Sequence, residues 1–150
     1  MRLSSQKALL FLTACTIGCH NATSAAQTTS RAYVLESING RPLPAIWYAK
    51  DGDTSWTHWG KLSLDRDGNA VRVAYGTHTY HGTQAGGGTQ TWRAKYRFRG
   101  DSIELGFRPC KAPCFVGDVG RISGSTLTLT PRTNPPRPWP VYLYRLSHDQ

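Results

Sequence analysis

Four groupings in this 150-residue chain have residue types and spacings that could do chemistry. They are Cys110 with Cys114, His78 with His81, Asp51 with Asp53, and the run Asp65-Arg66-Asp67-Gly68-Asn69. Outside the cytoplasm, two cysteines this close predict a disulfide. The loop it closes is so short that chain entropy gives only about 2 kcal/mol, enough to pin a loop but not to hold a fold. The spacing is one residue longer than a redox Cys-x-x-Cys, and no second Cys or His pair completes a zinc set. In a strand, His78 and His81 point to opposite faces, so they reach one ion only where the strand bends. Asp51-Gly52-Asp53 is ordinary turn chemistry. The Asp65 to Asn69 run lacks the third acid and the terminal Glu of a calcium loop, and a hairpin turn explains each of its residues. No nucleophile elbow, phosphate loop or Ser/His/Asp ordering is present. The expectation is a protein that is not an enzyme and needs no metal or cofactor.

The elements that would position any site are strands. From Thr91 to Pro109 the apolar residues alternate, with Trp92, Ala94, Tyr96 and Phe98 on one face and Arg93, Lys95, Arg97 and Arg99 on the other. A two-residue turn at Gly100-Asp101 sets Phe98 opposite Ile103, Tyr96 opposite Leu105, Ala94 opposite Phe107 and Arg97 opposite Glu104. Before this hairpin, Tyr33 to Ile38 reads as a strand ended by Asn39-Gly40, and Ile46 to Tyr48 as a short second one. Pro42 and Pro44 keep the segment between them out of any interior strand. Trp59–Leu64 and Ala70–Tyr80 predict a hairpin with Leu64 opposite Val71 and Leu62 opposite Val73. Gly82 to Gly88 reads as a flexible loop. Later strands run from Phe115 to Ser123, Thr126 to Thr130 and Val141 to Leu146, with Ile122 meeting Leu127 across a Gly124-Ser125 turn. Five prolines between Pro131 and Pro140 predict a stiff connection. Eight or nine strands with hairpin connections predict an all-β fold, a single antiparallel up-and-down barrel of about eight strands. A two-sheet β-sandwich is the alternative.

The N-terminus reads as a secretory signal: Arg2 and Lys7 precede the apolar run Ala8 to Ala14, well short of the roughly 20 residues of a membrane-spanning helix. Leu12-Thr13-Ala14-Cys15 resembles a bacterial lipobox, with Cys15 lipidated after removal of residues 1–14. Cys19 is a second lipobox candidate, and Ser24-Ala25-Ala26 an alternative site for ordinary processing. Residues 15–31 would be a polar tether and 32–148 the folded domain. The location implied is the bacterial cell envelope, lipid-anchored, at the outer membrane where the source has one, with a soluble periplasmic or secreted form as the alternative. The formal charge is +9, from 18 basic and 9 acidic residues, which speaks to anionic partners rather than to fold.

Tyr33-Val-Leu-Glu-Ser-Ile-Asn-Gly-Arg-Pro-Leu-Pro44, Gly60-Lys-Leu-Ser-Leu-Asp-Arg-Asp-Gly68, Ser123-Gly-Ser-Thr-Leu-Thr-Leu-Thr130 and Tyr142-Leu-Tyr-Arg145 occur in that order. In this they resemble small bacterial lipocalin-like proteins across most of residues 32 to 146. The resemblance implies a small exported barrel, often lipid-anchored, and carries no catalytic motif. Two binding expectations follow. Trp47, Trp56, His58 and Trp59 could line a pocket for a small apolar or aromatic ligand. Arg93, Lys95, Arg97 and Arg99 could dock acidic lipid or an acidic protein. Nucleic acid is not an expected partner of an exported protein.

Overall fold

Turn chemistry divides the chain into strands. Asn39 and Gly40 both take left-handed φ, 54° and 74°, the type I′ geometry whose twist matches its flanking strands. Gly100 alone takes positive φ in the Gly100-Asp101 turn, as a glycine does at the first position of a type II′ hairpin. The computed structural model describes residues 30–106, 117–132 and 139–147. The processing sites at Cys15, Cys19 and Ala26, the Cys110/Cys114 pair and Phe107 lie outside the described residues, as do residues 133–138 of the proline-rich connection.

Ten strands and no helix occur among the described residues: β1 (Arg31–Ile38), β2 (Arg41–Pro42), β3 (Ala45–Lys50), β4 (Asp53–Leu64), β5 (Asn69–Tyr80), β6 (Thr83–Arg99), β7 (Ser102–Leu105), β8 (Asp118–Ser123), β9 (Thr126–Pro131) and β10 (Tyr142–Leu146). From β4 to β10 each strand pairs antiparallel with the next, and β10 pairs with β1. β1 then pairs with β4, from Arg31 opposite Leu64 to Val34 opposite Lys61, which closes the circle. The result is an eight-stranded antiparallel barrel of β1 and β4 to β10, with β2 and β3 as two extra strands against β1 and β4. Closure pairs the strand edges that a sandwich would leave open.

The hairpin of β6 and β7 has the expected register, with Phe98 opposite Ile103, Tyr96 opposite Leu105 and Arg97 opposite Glu104. Ile122 likewise faces Leu127. Leu62, Leu64, Ala70, Tyr96, Ile103, Leu105, Leu127 and Leu129 are buried together with Tyr33 and Tyr144 as the core. Burying a side chain of Leu or Ile size stabilises by about 1.5–3 kcal/mol, so this layer carries much of the fold.

Three expectations are corrected. Leu64 faces Ala70 rather than Val71, and Leu62 faces Arg72 rather than Val73. The cause is the turn. The Asp65 carboxylate accepts hydrogen bonds from the backbone N–H of Asp67 at 2.9 Å and of Asn69 at 2.7 Å, and from the Asn69 side chain at 2.7 Å. Asp65 N–H donates to the Asn69 carbonyl at 2.9 Å, and the Tyr96 hydroxyl donates to the Asp65 carbonyl at 2.6 Å. This network holds one residue fewer in the loop than apolar matching suggests, and a one-residue slip turns every side chain of β5 over. Second, Gly82 to Gly88 is not a flexible loop: from Thr83 onward it is the first part of β6. Gly86, Gly87 and Gly88 pair with His78, Thr77 and Gly76 of β5. Third, β4 begins at Asp53, six residues before Trp59, because β3 and β5 both pair with its first half.

Candidate functional site

The inner face of the barrel follows from the β5 register. Ala70, Arg72, Ala74, Gly76 and His78 alternate inward, opposite Ala94, Trp92, Gln90, Gly88 and Gly86 of β6. Towards the turns at 51–52 and 81–82 these residues become small, so the side chains that pack the other half run out. The space left is an open cavity of about 1150 Å³. Trp47 of β3, Trp56 of β4, Trp92 of β6 and Tyr142 of β10 border it together with Gly76, Gly86 and Gly88, although Trp56, paired with Thr77, has its side chain on the other face of the sheet from Gly76. Gly76 has no alternative, since a Cβ there would stand 2.5 Å from the Trp56 carbonyl oxygen. Gly88 differs: a Cβ there would meet nothing within 4 Å.

At the floor of the cavity lies an ion pair. Arg72 Nη2 stands 2.9 Å from Asp118 Oδ2, and the two side chains are 21% and 6% exposed. The guanidinium sits over the Trp92 ring at 4.8 Å and near the Tyr142 ring at 5.9 Å, both within cation–π range. It also hydrogen-bonds the Tyr144 side chain. Burial works against the charge on Arg72, but Asp118 and the two tyrosines outweigh it, and the guanidinium titrates above its usual range. Burial pushes the Asp118 carboxyl up, with Arg72 opposing. It pushes the Tyr142 hydroxyl up to about 12 and raises Tyr144 as well. Both phenols are therefore neutral at physiological pH. A buried ion pair seldom stabilises a fold more than apolar side chains of the same volume would. Its place in a cavity wall makes it the candidate site of this barrel.

Of the four residues expected to form a pocket, the structure brings two together. Trp47 and Trp56 line the cavity. His58 sits at an irregularity of β4, where its Nε2 lies 2.8 Å from Thr77 Oγ1 and its ring packs on Tyr75 at 5.3 Å. Trp59 pairs with Tyr75 and is 41% exposed. Neither borders the cavity. On the outer face of β6, Glu104 lies between Arg97, to which it is hydrogen-bonded, and Arg99 at 3.6 Å. Lys95 Nζ donates to the Asp67 carbonyl at 3.3 Å, and Arg93 and Lys95 are exposed. His81 takes a turn conformation and its N–H donates to Asp53 Oδ1 at 3.0 Å, which makes Asp53 a turn acceptor. No group of three metal-ligating side chains occurs among the described residues.

Sequence reasoning missed Arg72, Trp92, Asp118, Tyr142 and Tyr144 as one cluster. The available signal was the small-residue series Gly60, Ala70, Ala74, Gly76, which suits the inside of a small barrel better than Val71, Val73 and Tyr75 do.

Fold and site together define a closed antiparallel barrel, packed in one half and hollow in the other. No known protein family, curated protein or solved structure matches the chain.

Proposed function

We propose that the chain is an exported, lipid-anchored barrel of lipocalin-like type. It would hold one small molecule with an apolar or aromatic body and perform no reaction on it. The observation that carries this reading is the open cavity of about 1150 Å³, bordered by aromatic residues and by a run of glycines that leaves its wall bare of side chains. Aromatic rings and a surface free of side chains suit a slab-shaped apolar guest, and this volume is a little above the usual range of small-molecule sites, roughly 300–1,000 Å³. The strand register supports an anchored arrangement. Arg31 enters β1 opposite Leu64, beside the 65–69 turn and away from the glycines at 76, 86 and 88. A lipidated Cys15 and the tether of residues 15–31 would then hold the mouth away from the bilayer.

The test is native mass spectrometry of the protein extracted from its own membrane, beside Gly88→Leu. A co-purifying small molecule with the wild type and none with the variant supports the reading. Wild-type protein that carries nothing and binds no apolar probe ends it.

A second reading rests on Arg93 and Lys95, the two members of the basic stripe that Glu104 leaves unneutralised. An envelope protein docking acidic lipid or an acidic protein would use them. Reversing both charges should then remove partners from an envelope pull-down, and an unchanged set of partners counts against it.

A further inference from the structure

Arg72 is out of keeping with a purely apolar pocket. A charged side chain at mid-strand, on the inner face of a barrel, has to be held there against its hydration. Four groups hold it: Asp118, Tyr144, Trp92 and Tyr142. Together they hold the guanidinium in the lining of the cavity. A guanidinium has five donors in a rigid fork, of which one carboxylate contact and one phenol engage only part. Resting on these observations, and on the carrier reading above, we propose that the guest is an anion. It is an apolar or aromatic body ending in a carboxylate, which the free donors of Arg72 receive at the floor of the cavity.

The alternatives are disfavoured by the same geometry. An amine would have to reach Asp118, whose side chain is only 6% exposed, past the charge of Arg72 paired with it. The aromatic faces next to this ion pair, those of Trp92 and Tyr142, already have Arg72 against them. A wholly neutral guest would displace the water on the guanidinium without replacing its hydrogen bonds, which costs affinity. A carboxylate replaces them with charge-assisted ones in a site of low dielectric, where such bonds are strongest. Asp118 then serves to hold Arg72 in position when the cavity is empty. The body of the guest lies over the inner surface left bare by Gly76 and Gly88, beside Trp92.

The experiment is isothermal titration calorimetry of the wild-type barrel with 2-naphthylacetate, 2-naphthylacetamide and 2-naphthylethylamine, which share one aromatic body. The acid should bind at least tenfold tighter than the amide, and the amine weakest. Arg72→Met should bring the acid down to the level of the amide and leave amide binding within about twofold, as expected where a single charge-assisted contact is lost. Equal binding of acid and amide to the wild type overturns the anion inference while the carrier reading survives. Equal loss of both probes in Arg72→Met also overturns it, because Arg72 would then act through shape alone. Binding of none of the three at millimolar concentration removes the inference and the reading beneath it together. The comparison of probes on the wild type needs no variant, so the answer stands even where Arg72→Met fails to fold.

Discussion

Replacing Arg72 by methionine tests whether β5 is turned as described. Methionine keeps the length of the side chain and removes the charge, so Asp118 is left buried beside Trp92 and Tyr142 with no counter-ion. Breaking a buried pair from one side costs about 3–5 kcal/mol. Because Arg72 is 21% exposed and the cavity is open to solvent, the low end applies, about 3 kcal/mol, or roughly 10 °C in Tm for a domain of this size. The loss should depend on pH with a defined sign. Burial already raises the Asp118 carboxyl in the folded state. A group raised on folding contributes stability that is fully present below its unfolded value, about 3.9, and is lost as pH rises through its folded value. Without the guanidinium to oppose burial, that folded value moves higher and the loss reaches further towards neutrality. Urea unfolding followed by tryptophan fluorescence at pH 5 and pH 8 should therefore show a larger deficit at pH 8. Adding Asp118→Asn to Arg72→Met should flatten the difference. Arg93→Met, on the outer face of the neighbouring strand, should stay within about 0.5 kcal/mol of the wild type. An Arg72→Met variant as mild as Arg93→Met at both pH values would refute an inward Arg72.

Other outcomes follow from the same geometry. Gly88→Ala should be neutral or mildly stabilising, whereas Gly76→Ala, with its Cβ 2.5 Å from a carbonyl oxygen, should cost about 1–3 kcal/mol in thermal or urea unfolding. Asp65 is held below its usual range, chiefly by the Asn69 side chain. Its contribution is present above the unfolded carboxylate value and lost as pH falls through the lowered one. Asp65→Ala should therefore weaken the acid limb of the stability profile, read by circular dichroism. Tyr142 is raised to about 12, so stability should fall as pH climbs from about 10 through that value, and Tyr142→Phe should remove this part of the alkaline limb.

The fold was legible where alternation and turn residues agreed. In β6 and β7, apolar residues alternate on both sides of Gly100-Asp101, and only one register satisfies them all. At β4 and β5 the two signals disagreed. Matching Leu to Val favoured one register, while the carboxylate of Asp65, with three hydrogen bonds to accept, held the other. Valines on the outside of a barrel are tolerated because one face of an antiparallel sheet need only be partly buried. The site was hidden by that same slip, since it moved Arg72 from the exterior to the floor of the cavity. Glycines at 86 to 88 looked like a loop because they offer nothing to pack. In the barrel that lack of side chains is what leaves room inside. Asp118 and Tyr142 could not be joined to Arg72 from spacing alone, because they meet only through closure of the barrel, on strands β8, β10 and β5.

The claim that a guest occupies the hollow half is tested most directly by nuclear magnetic resonance of the tryptophan indole N–H groups on adding 2-naphthylacetate. The Trp92 resonance should shift in a saturable way, with Trp59 unmoved on the outer face. Shifts at Trp59 with Trp92 unchanged would place binding outside the barrel and contradict an occupied interior.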